Sequence, residues 1–259
     1  MFGIRNVAAI AIACLGTVSV AQADSVISFG PGANQASESG LGQAGLFNGA
    51  ATVVNTPDGF AAQFNTSSPI DWIAFENNGQ FLGAAGKVSV RTQNQGNFNQ
   101  EGENIISMDS NQVFEGDWSL LFQQGPSDNQ AGHIELTYQS DSLTTVLRSA
   151  DNSIDIDQIV DIHFVYDDTG VQLFLDNVLV DSSTNTADFT QNTNSVTFGS
   201  SNRTNNPGDF GDDLSGLSPG ISGRVYGAEF EIATAIPTPT AAAAGLLLIT
   251  GLVARRRPA

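Results

Sequence analysis

The feature that most constrains the fold is an alternation of apolar and polar residues with a period of two along the middle of the chain. Valines alternate with polar residues in segment 87–92, and Trp118, Leu120 and Phe122 fall on one side of the next such segment. No convincing amphipathic helix follows residue 24, and Gly, Asn, Ser and Asp interrupt the chain at short intervals. This pattern predicts an all-β protein built as an antiparallel sandwich or barrel, with one buried and one solvated face per strand.

The clearest hairpins lie between residues 162 and 180. Ile162, Phe164 and Tyr166 share one face of a strand, and the turn at 167–170 leads into a return strand. Asp176-Asn177 then forms a two-residue turn, since both residues tolerate positive φ angles. We therefore expect three consecutive antiparallel strands here.

The last predicted strand covers residues 225–232. Strict alternation places Tyr226, Ala228, Phe230 and Ile232 on one face and the two glutamates between them on the other. We expect the first of these faces to be buried.

The charge of the chain excludes some partners. Its 27 acidic residues all lie between residues 24 and 235, where only five basic residues occur, so this region has a net charge of −22. Such a surface repels nucleic acid and anionic lipid. The one cysteine, Cys14, precedes this region, which therefore has no disulfide and needs a sizeable apolar core. The 16 phenylalanines of the chain, all but Phe2 in this region, fit that need.

The N-terminus has the parts of a secretory signal. Arg5 precedes an apolar run at 7–15 that is too short to span a bilayer, and Ala21 and Ala23 complete an A-x-A site. We expect signal peptidase to cut between Ala23 and Asp24, which makes residues 1–23 a short helical signal peptide. The alternatives are a buried N-terminal helix and a lipoprotein signal ending at Cys14.

The C-terminus, residues 236–259, has the parts of a second sorting signal. An apolar helix of 14 residues, 241–254, is about 21 Å long, short of a hydrocarbon core of about 30 Å. This length favours a transient stop in the membrane that is later cut. The layout resembles the PEP-CTERM sorting signal recognised by exosortase-type enzymes, with an ordinary tail anchor as the alternative. The residues that carry it are Pro237, Thr238, Pro239, Arg255, Arg256 and Arg257.

Between these ends, residues 24–235 resemble laminin G-like and concanavalin A-like domains. The resemblance is carried by residues 162–181, above all by Phe174 to Val180, and by segments 196–201 and 223–230. It implies a jelly roll of two curved antiparallel sheets. It also implies a ligand site for carbohydrate or protein on a sheet face or at the loop rim, often with calcium.

The motifs of glycoside hydrolases on such sandwiches are not matched. Glu101 and Glu103 lack a third carboxylate, and Asp155 and Asp157 lack a glutamate. We interpret both pairs as solvated loop residues and predict that the protein is not an enzyme.

Two loops carry the oxygen-bearing side chains that calcium prefers. One contains Asp128, and the other contains Asn205, Asp209, Asp212 and Asp213. The alternative is that these residues only form turns and bind no ion.

Three aromatic residues are candidates for stacking on a sugar ring. They are Trp72, Phe75 and Phe210, and core packing is the alternative for Trp72. The sequence thus predicts an exported, non-catalytic binding or structural module at the cell envelope or in the extracellular matrix of a bacterium. Its partner would be extracellular polysaccharide or a surface protein. The alternative is a polysaccharide hydrolase or lyase on the same fold.

Overall fold

The computed structural model describes residues 23–233, except 33–34, 40–43, 66–70, 78, 80, 101, 110–114, 127–129, 141–142 and 201–219. The described residues belong to one compact unit at 22–235, and the predicted helical signal segments, 1–23 and 236–259, lie outside the described residues apart from Ala23. Among the described residues, no helix has the length and apolarity needed to cross a membrane.

The described unit is almost entirely β-structure, with strands numbered along the chain. They are β1 (Ala23–Phe29), β2 (Ala36–Ser39), β3 (Leu46–Asn48), β4 (Thr52–Thr56), β5 (Gly59–Phe64), β6 (Trp72–Phe75), β7 (Gly86–Asn94), β8 (Glu103–Met108), β9 (Trp118–Gln124), β10 (Ala131–Ser140), β11 (Leu143–Arg148), β12 (Ile154–Asp155), β13 (Ile159–Asp167), β14 (Gly170–Leu175), β15 (Val178–Ser183), β16 (Val196–Phe198) and β17 (Gly223–Ile232).

These strands form two antiparallel sheets. The nine-stranded sheet has the order β15-β14-β13-β7-β17-β1-β2, with β5 also paired to β17 and β4 paired to β5. The eight-stranded sheet has the order β11-β10-β9-β8-β16-β6-β3, with β12 paired to β10. The predicted all-β, two-sheet antiparallel jelly-roll sandwich is therefore confirmed.

The core fills the space between the sheets with large side chains. Along β13, Ile162, Phe164 and Tyr166 are buried while the residues between them are more exposed, as the period-two pattern predicts. Trp118 of the opposite sheet meets Phe164 edge-on, with 5.0 Å between ring centroids. Phe189, in a short 3-10 turn, packs against Tyr166 from the side at 4.6 Å.

The predicted hairpin turn after β14 is also confirmed. Asp176 and Asn177 have φ angles of 49° and 65°, the left-handed values that a two-residue turn of type I′ requires. Asp161 stabilises the same turn through two hydrogen bonds: its backbone amide donates to Asp176 Oδ1 at 2.9 Å, and its carbonyl accepts from the Asp176 amide at 2.7 Å.

The prediction for the last strand is wrong at one residue. The pairing of β17 with β7 shifts register between Val225 and Gly227, so a β-bulge interrupts the alternation. Val225, Ala228 and Phe230 face the core, whereas Tyr226 is only half-buried and lies on the outer face. Gly227 has a φ angle of 150°, a value that favours glycine and marks the bulge.

Candidate functional site

A groove of about 590 Å³ lies on the outer face of the nine-stranded sheet. Its walls come from β1, β7, β13 and β17 and from the turn between β4 and β5. The volume falls within the range of about 300–1,000 Å³ that small-molecule sites occupy. The groove therefore has the size of a ligand site.

An arginine and a tyrosine meet at one end of this groove. The guanidinium carbon of Arg91 lies 5.7 Å from the centre of the Tyr226 ring, within the range of a cation–π interaction. The Tyr226 hydroxyl contacts Gln93 Oε1 at 3.4 Å. Phe60, partly buried on β5, adds a second aromatic ring to the lining. This end of the groove thus combines apolar ring surface with a hydrogen-bond donor.

Two aspartates flank Arg91. Asp58 Oδ1 lies 4.0 Å from Arg91 Nη2, and Asp161 Oδ1 lies 4.0 Å from Arg91 Nε. All three side chains are well exposed, at 48% for Arg91, 44% for Asp58 and 59% for Asp161. Exposed ion pairs at this separation contribute little stability. The guanidinium and both carboxylates therefore keep hydrogen-bonding capacity for a ligand.

The floor of the groove contains an unsatisfied hydroxyl. Ser89 Oγ is shielded from solvent and has no hydrogen-bond partner. Ser89 is paired across the sheet with Glu229 on one side and His163 on the other. A shielded hydroxyl without a partner is costly, and Ser89 Oγ can reach a ligand hydroxyl only when the side chains that cover it move aside.

The neighbouring His163 is stacked on Phe174. The two rings are nearly parallel, with an interplanar angle of 11° and 4.5 Å between centroids. Partial burial lowers the pKa of His163 below 6.5, Lys87 lowers it further, and Glu231 and Asp161 oppose these effects. The imidazole is therefore mostly uncharged at neutral pH and adds flat surface rather than charge.

Lys87 is the second cation in the groove lining. Its ammonium nitrogen lies 2.7 Å from Glu231 Oε1, and both side chains are about one-third exposed or less. This cation is thus already neutralised by a close partner.

Two of the predicted stacking residues do not lie in this groove. Phe75 is 1% exposed and meets Phe198 edge-on at 6.3 Å within the core. Trp72, on the same strand, is 8% exposed. All four residues of β6 are buried, because this strand is covered on both faces. Burial therefore makes Phe75 a packing residue and favours the core-packing alternative for Trp72.

The other predicted site residues lie outside the described part of the chain. They are Phe210, Asp128, Asn205, Asp209, Asp212, Asp213, Ala21, Pro237, Thr238, Pro239, Arg255, Arg256 and Arg257. Ala23 is the first residue of β1. Within the described ranges, no group of three or more His, Cys, Asp or Glu side chains is placed to hold a metal ion. Calcium binding therefore stays a prediction.

The interpretation of Glu103 as a solvated loop residue is wrong. It begins β8, is 1% exposed, and its Oε2 accepts a hydrogen bond from Asn94 Nδ2 at 3.1 Å. Desolvation by burial raises the pKa of Glu103 to about 8, and the hydrogen bond from Asn94 opposes this rise. Asp155 and Asp157 are exposed, as predicted. Glu101 lies outside the described residues.

Sequence reasoning missed the residues that line the groove. Lys87, Ser89 and Arg91 alternate with the buried Val88 and Val90, so their outward direction could have been read from the period-two pattern. The outward direction of Tyr226 could not be read from this pattern, because only the bulge beside it directs its ring outward.

The fold and groove define a class: a jelly-roll β-sandwich with a polar and aromatic groove on one sheet face. No protein-family model matches the sequence, and the search of curated proteins found no match. Similarity appears among solved structures.

Two of these resemble the whole sandwich. One is domain 4 of AbnA, a GH43 extracellular arabinanase from Geobacillus stearothermophilus, in complex with arabinotriose. It has 14% identity and a TM-score of 0.54, over 84% of this chain and 98% of that chain. The other is the binding domain of Paraclostridial Mosquitocidal Protein 1, with 9% identity and a TM-score of 0.55, over 83% of this chain and 49% of that chain. At these identities the similarity concerns the fold.

Proposed function

We propose that this protein is an exported, non-catalytic carbohydrate-binding module whose ligand lies in the groove on the nine-stranded sheet. The observation that carries the proposal is that Tyr226 and Asp161 both lie against Arg91 in a groove that Ser89 also lines. A sugar ring presents apolar C–H groups on its faces and hydroxyls around its edge. The groove offers a counterpart to each, namely aromatic ring surface and groups that donate or accept hydrogen bonds.

The solved structures support this ligand class. The similar arabinanase domain is described in complex with arabinotriose, and the similar mosquitocidal domain is described as a binding domain.

The position of Glu103 supports a non-catalytic role. A glycoside hydrolase needs a carboxylic acid with a raised pKa beside the scissile bond. Among the carboxyl groups of the described residues, the one whose pKa is raised to about 8 is buried and bonded to Asn94, and it is not part of the groove lining. The carboxylates of the groove, such as Asp58 and Asp161, instead flank Arg91.

The two chain ends support export and surface sorting. The A-x-A site at Ala21 and Ala23 would be cut by signal peptidase. The C-terminal segment would contact the membrane transiently and be processed by an exosortase-like enzyme. Mass spectrometry of the protein from the extracellular fraction tests both cuts. Export would give a mature chain that begins at Asp24 and lacks the arginines of the tail, whereas an intact chain in the cytosol would refute export.

Glycan-array binding followed by calorimetry on the best ligand tests the proposed function. We expect Arg91→Ala and Tyr226→Ala each to weaken binding about tenfold, since each removes one strong contact. Arg148→Ala is the matched control, because Arg148 is an exposed arginine on the eight-stranded sheet. The same titration with EDTA tests the calcium prediction. Equal loss in all three variants, or no glycan binding at all, would contradict the assignment of this groove.

A further inference from the structure

We propose that the groove binds an internal segment of an uncharged polysaccharide, laid across the strands from Glu229 towards Leu179. This inference rests on the proposed function and adds the chemical class and the direction of its ligand. It follows from three observations: the charge balance of the groove, the unsatisfied hydroxyl on its floor, and a continuous row of outward side chains.

The charge balance disfavours an acidic sugar. Each of these two cations of the groove already lies beside a carboxylate. Lys87 is bonded to Glu231 at 2.7 Å, and Arg91 lies between Asp58 and Asp161. Glu229 adds another carboxylate to the lining, and the lowered pKa of His163 keeps that ring mostly uncharged at neutral pH. A uronate would therefore meet no uncompensated positive charge in this groove.

The charge of the surrounding region also disfavours an acidic polysaccharide. Residues 24–235 have a net charge of −22, which repels a polyanion over a distance of about 10 Å at moderate salt. An uncharged chain of sugars experiences no such repulsion. Its hydroxyls both donate and accept, so they can donate to Asp161 and Glu229 and accept from Arg91.

The floor of the groove supports a ligand with hydroxyls. Ser89 Oγ is shielded and unpartnered, and it lies between the strand positions of Glu229 and His163. When the side chains that cover Ser89 Oγ move aside, a hydroxyl group of a sugar can accept from Ser89 and donate to Glu229 at the same time. This arrangement suits a polyol better than a purely apolar or purely anionic ligand.

The direction of the chain follows from cross-strand pairing. Glu229 pairs with Ser89, Ser89 with His163, His163 with Phe174, and Phe174 with Leu179, so these five residues form one row on the outer face. The row crosses β17, β7, β13, β14 and β15, and four strand spacings of about 4.8 Å give a length of about 19 Å.

The row is also polar at one end and apolar at the other. Beyond the groove, the stacked rings of His163 and Phe174 lead to Leu179, which is 49% exposed. Exposed apolar side chains that continue a polar groove favour contact with the C–H faces of further sugar units. The ligand is therefore longer than the one sugar unit held over Ser89.

Calorimetry on the full-length protein tests this inference with named probes. The uncharged probes are arabinan, xylan, β-glucan and their oligosaccharides of increasing length, and the acidic probes are polygalacturonate and alginate. We expect an uncharged polysaccharide to bind with an affinity that changes less than about twofold between about 50 mM and about 500 mM NaCl. Affinity should rise with chain length until the oligosaccharide covers the row.

Two variants distinguish the row from the rest of the surface. Ser89→Ala should weaken binding of every chain length about fivefold. Leu179→Ser should leave the shortest oligosaccharide unaffected and remove the gain with length. Leu143→Ser is its matched control, because Leu143 is 54% exposed on an edge strand of the other sheet.

The outcomes separate this inference from the proposed function. Binding of acidic polysaccharides alone, weakened by salt, would refute an uncharged ligand but leave a carbohydrate-binding module. Affinity independent of chain length, or equal effects of Leu179→Ser and Leu143→Ser, would refute the direction of the chain. No binding of any probe would overturn both proposals.

Discussion

Replacing Glu103 with glutamine should change how the stability of the protein depends on pH. Glu103 is 1% exposed, and burial raises its pKa from 4.5 to about 8. Glutamine has nearly the same shape, keeps an oxygen to accept the bond from Asn94 Nδ2, and cannot ionise. The variant therefore removes the titration while leaving the packing nearly unchanged.

The sign of this pH dependence follows from comparing the protonation of Glu103 in the folded and the unfolded chain. Below pH 4.5 the carboxyl is protonated in both the folded and the unfolded chain, so it adds no pH dependence. Between pH 4.5 and about 8 the unfolded chain loses this proton while the folded chain keeps it. The free energy of unfolding of the natural protein should then fall with rising pH, by about 1.4 kcal/mol per pH unit.

The magnitude follows from the width of this window. A pKa change from 4.5 to about 8 lowers the free energy of unfolding by a total of about 5 kcal/mol above pH 8. At pH 7 the loss is about 3 kcal/mol. Glu103→Gln should therefore be close to the natural protein in stability near pH 4.5. Near pH 8 it should be more stable by several kcal/mol.

Urea denaturation of both proteins at a series of pH values measures this effect. The difference between the two free energies of unfolding cancels the contributions of the other carboxylates, which both proteins share. A difference that stays constant between about pH 5 and about pH 8 would refute the reasoning. A carboxyl NMR titration of the natural protein checks the pKa independently, and a midpoint near 4.5 for Glu103 would contradict the value of about 8.

Three further substitutions test the packing and the turns. Gly227→Val should lower stability by about 1–3 kcal/mol in thermal unfolding. The φ angle of Gly227 is 150°, and an added Cβ would lie 2.9 Å from the Ile27 carbonyl oxygen. Unchanged stability would argue against the bulge. Phe164→Ala should cost about 3–5 kcal/mol in urea denaturation, because Phe164 is fully buried against Trp118; a cost below about 1 kcal/mol would contradict its core position. Asn177→Gly should raise the free energy of unfolding by up to about 1 kcal/mol, because glycine adopts the φ angle of 65° without strain; a clear loss would show that the turn needs the Asn side chain.

The strands and turns from 162 to 180 could be predicted because local information determines them. Alternation of apolar residues sets which side of β13 faces the core, and Asp176-Asn177 suits the left-handed turn that follows β14. Both signals concern residues that are near neighbours in sequence, so no knowledge of the opposite sheet is required.

The aromatic candidates on β6 show where such local information fails. Trp72 and Phe75 belong to a run of four residues that are all buried. A short run without alternation does not distinguish a strand covered on both faces from one with an exposed face. The burial of Glu103 was missed for a similar reason, because its partner Asn94 comes from the opposite sheet.

The groove depends on a departure from regular geometry. Without the bulge between Val225 and Gly227, Tyr226 would have the same parity as Ala228 and Phe230 and would face the core. One extra residue in β17 therefore changes a packing residue into part of the groove lining. Periodicity in the sequence cannot reveal this change, because it assumes an unbroken strand.

Burial separates β6 and β8 of the eight-stranded sheet from the strands that line the groove. In the eight-stranded sheet, every residue of β8 and β6 is buried, so these strands have no face open to a ligand. In the nine-stranded sheet, β7 and β13 alternate, and Arg91 and Asp161 remain 48% and 59% exposed at its centre. Under the proposed function, binding and stability therefore depend on opposite faces of the same strands. A substitution at an outward position should change ligand affinity with little effect on unfolding, and an inward substitution should do the reverse.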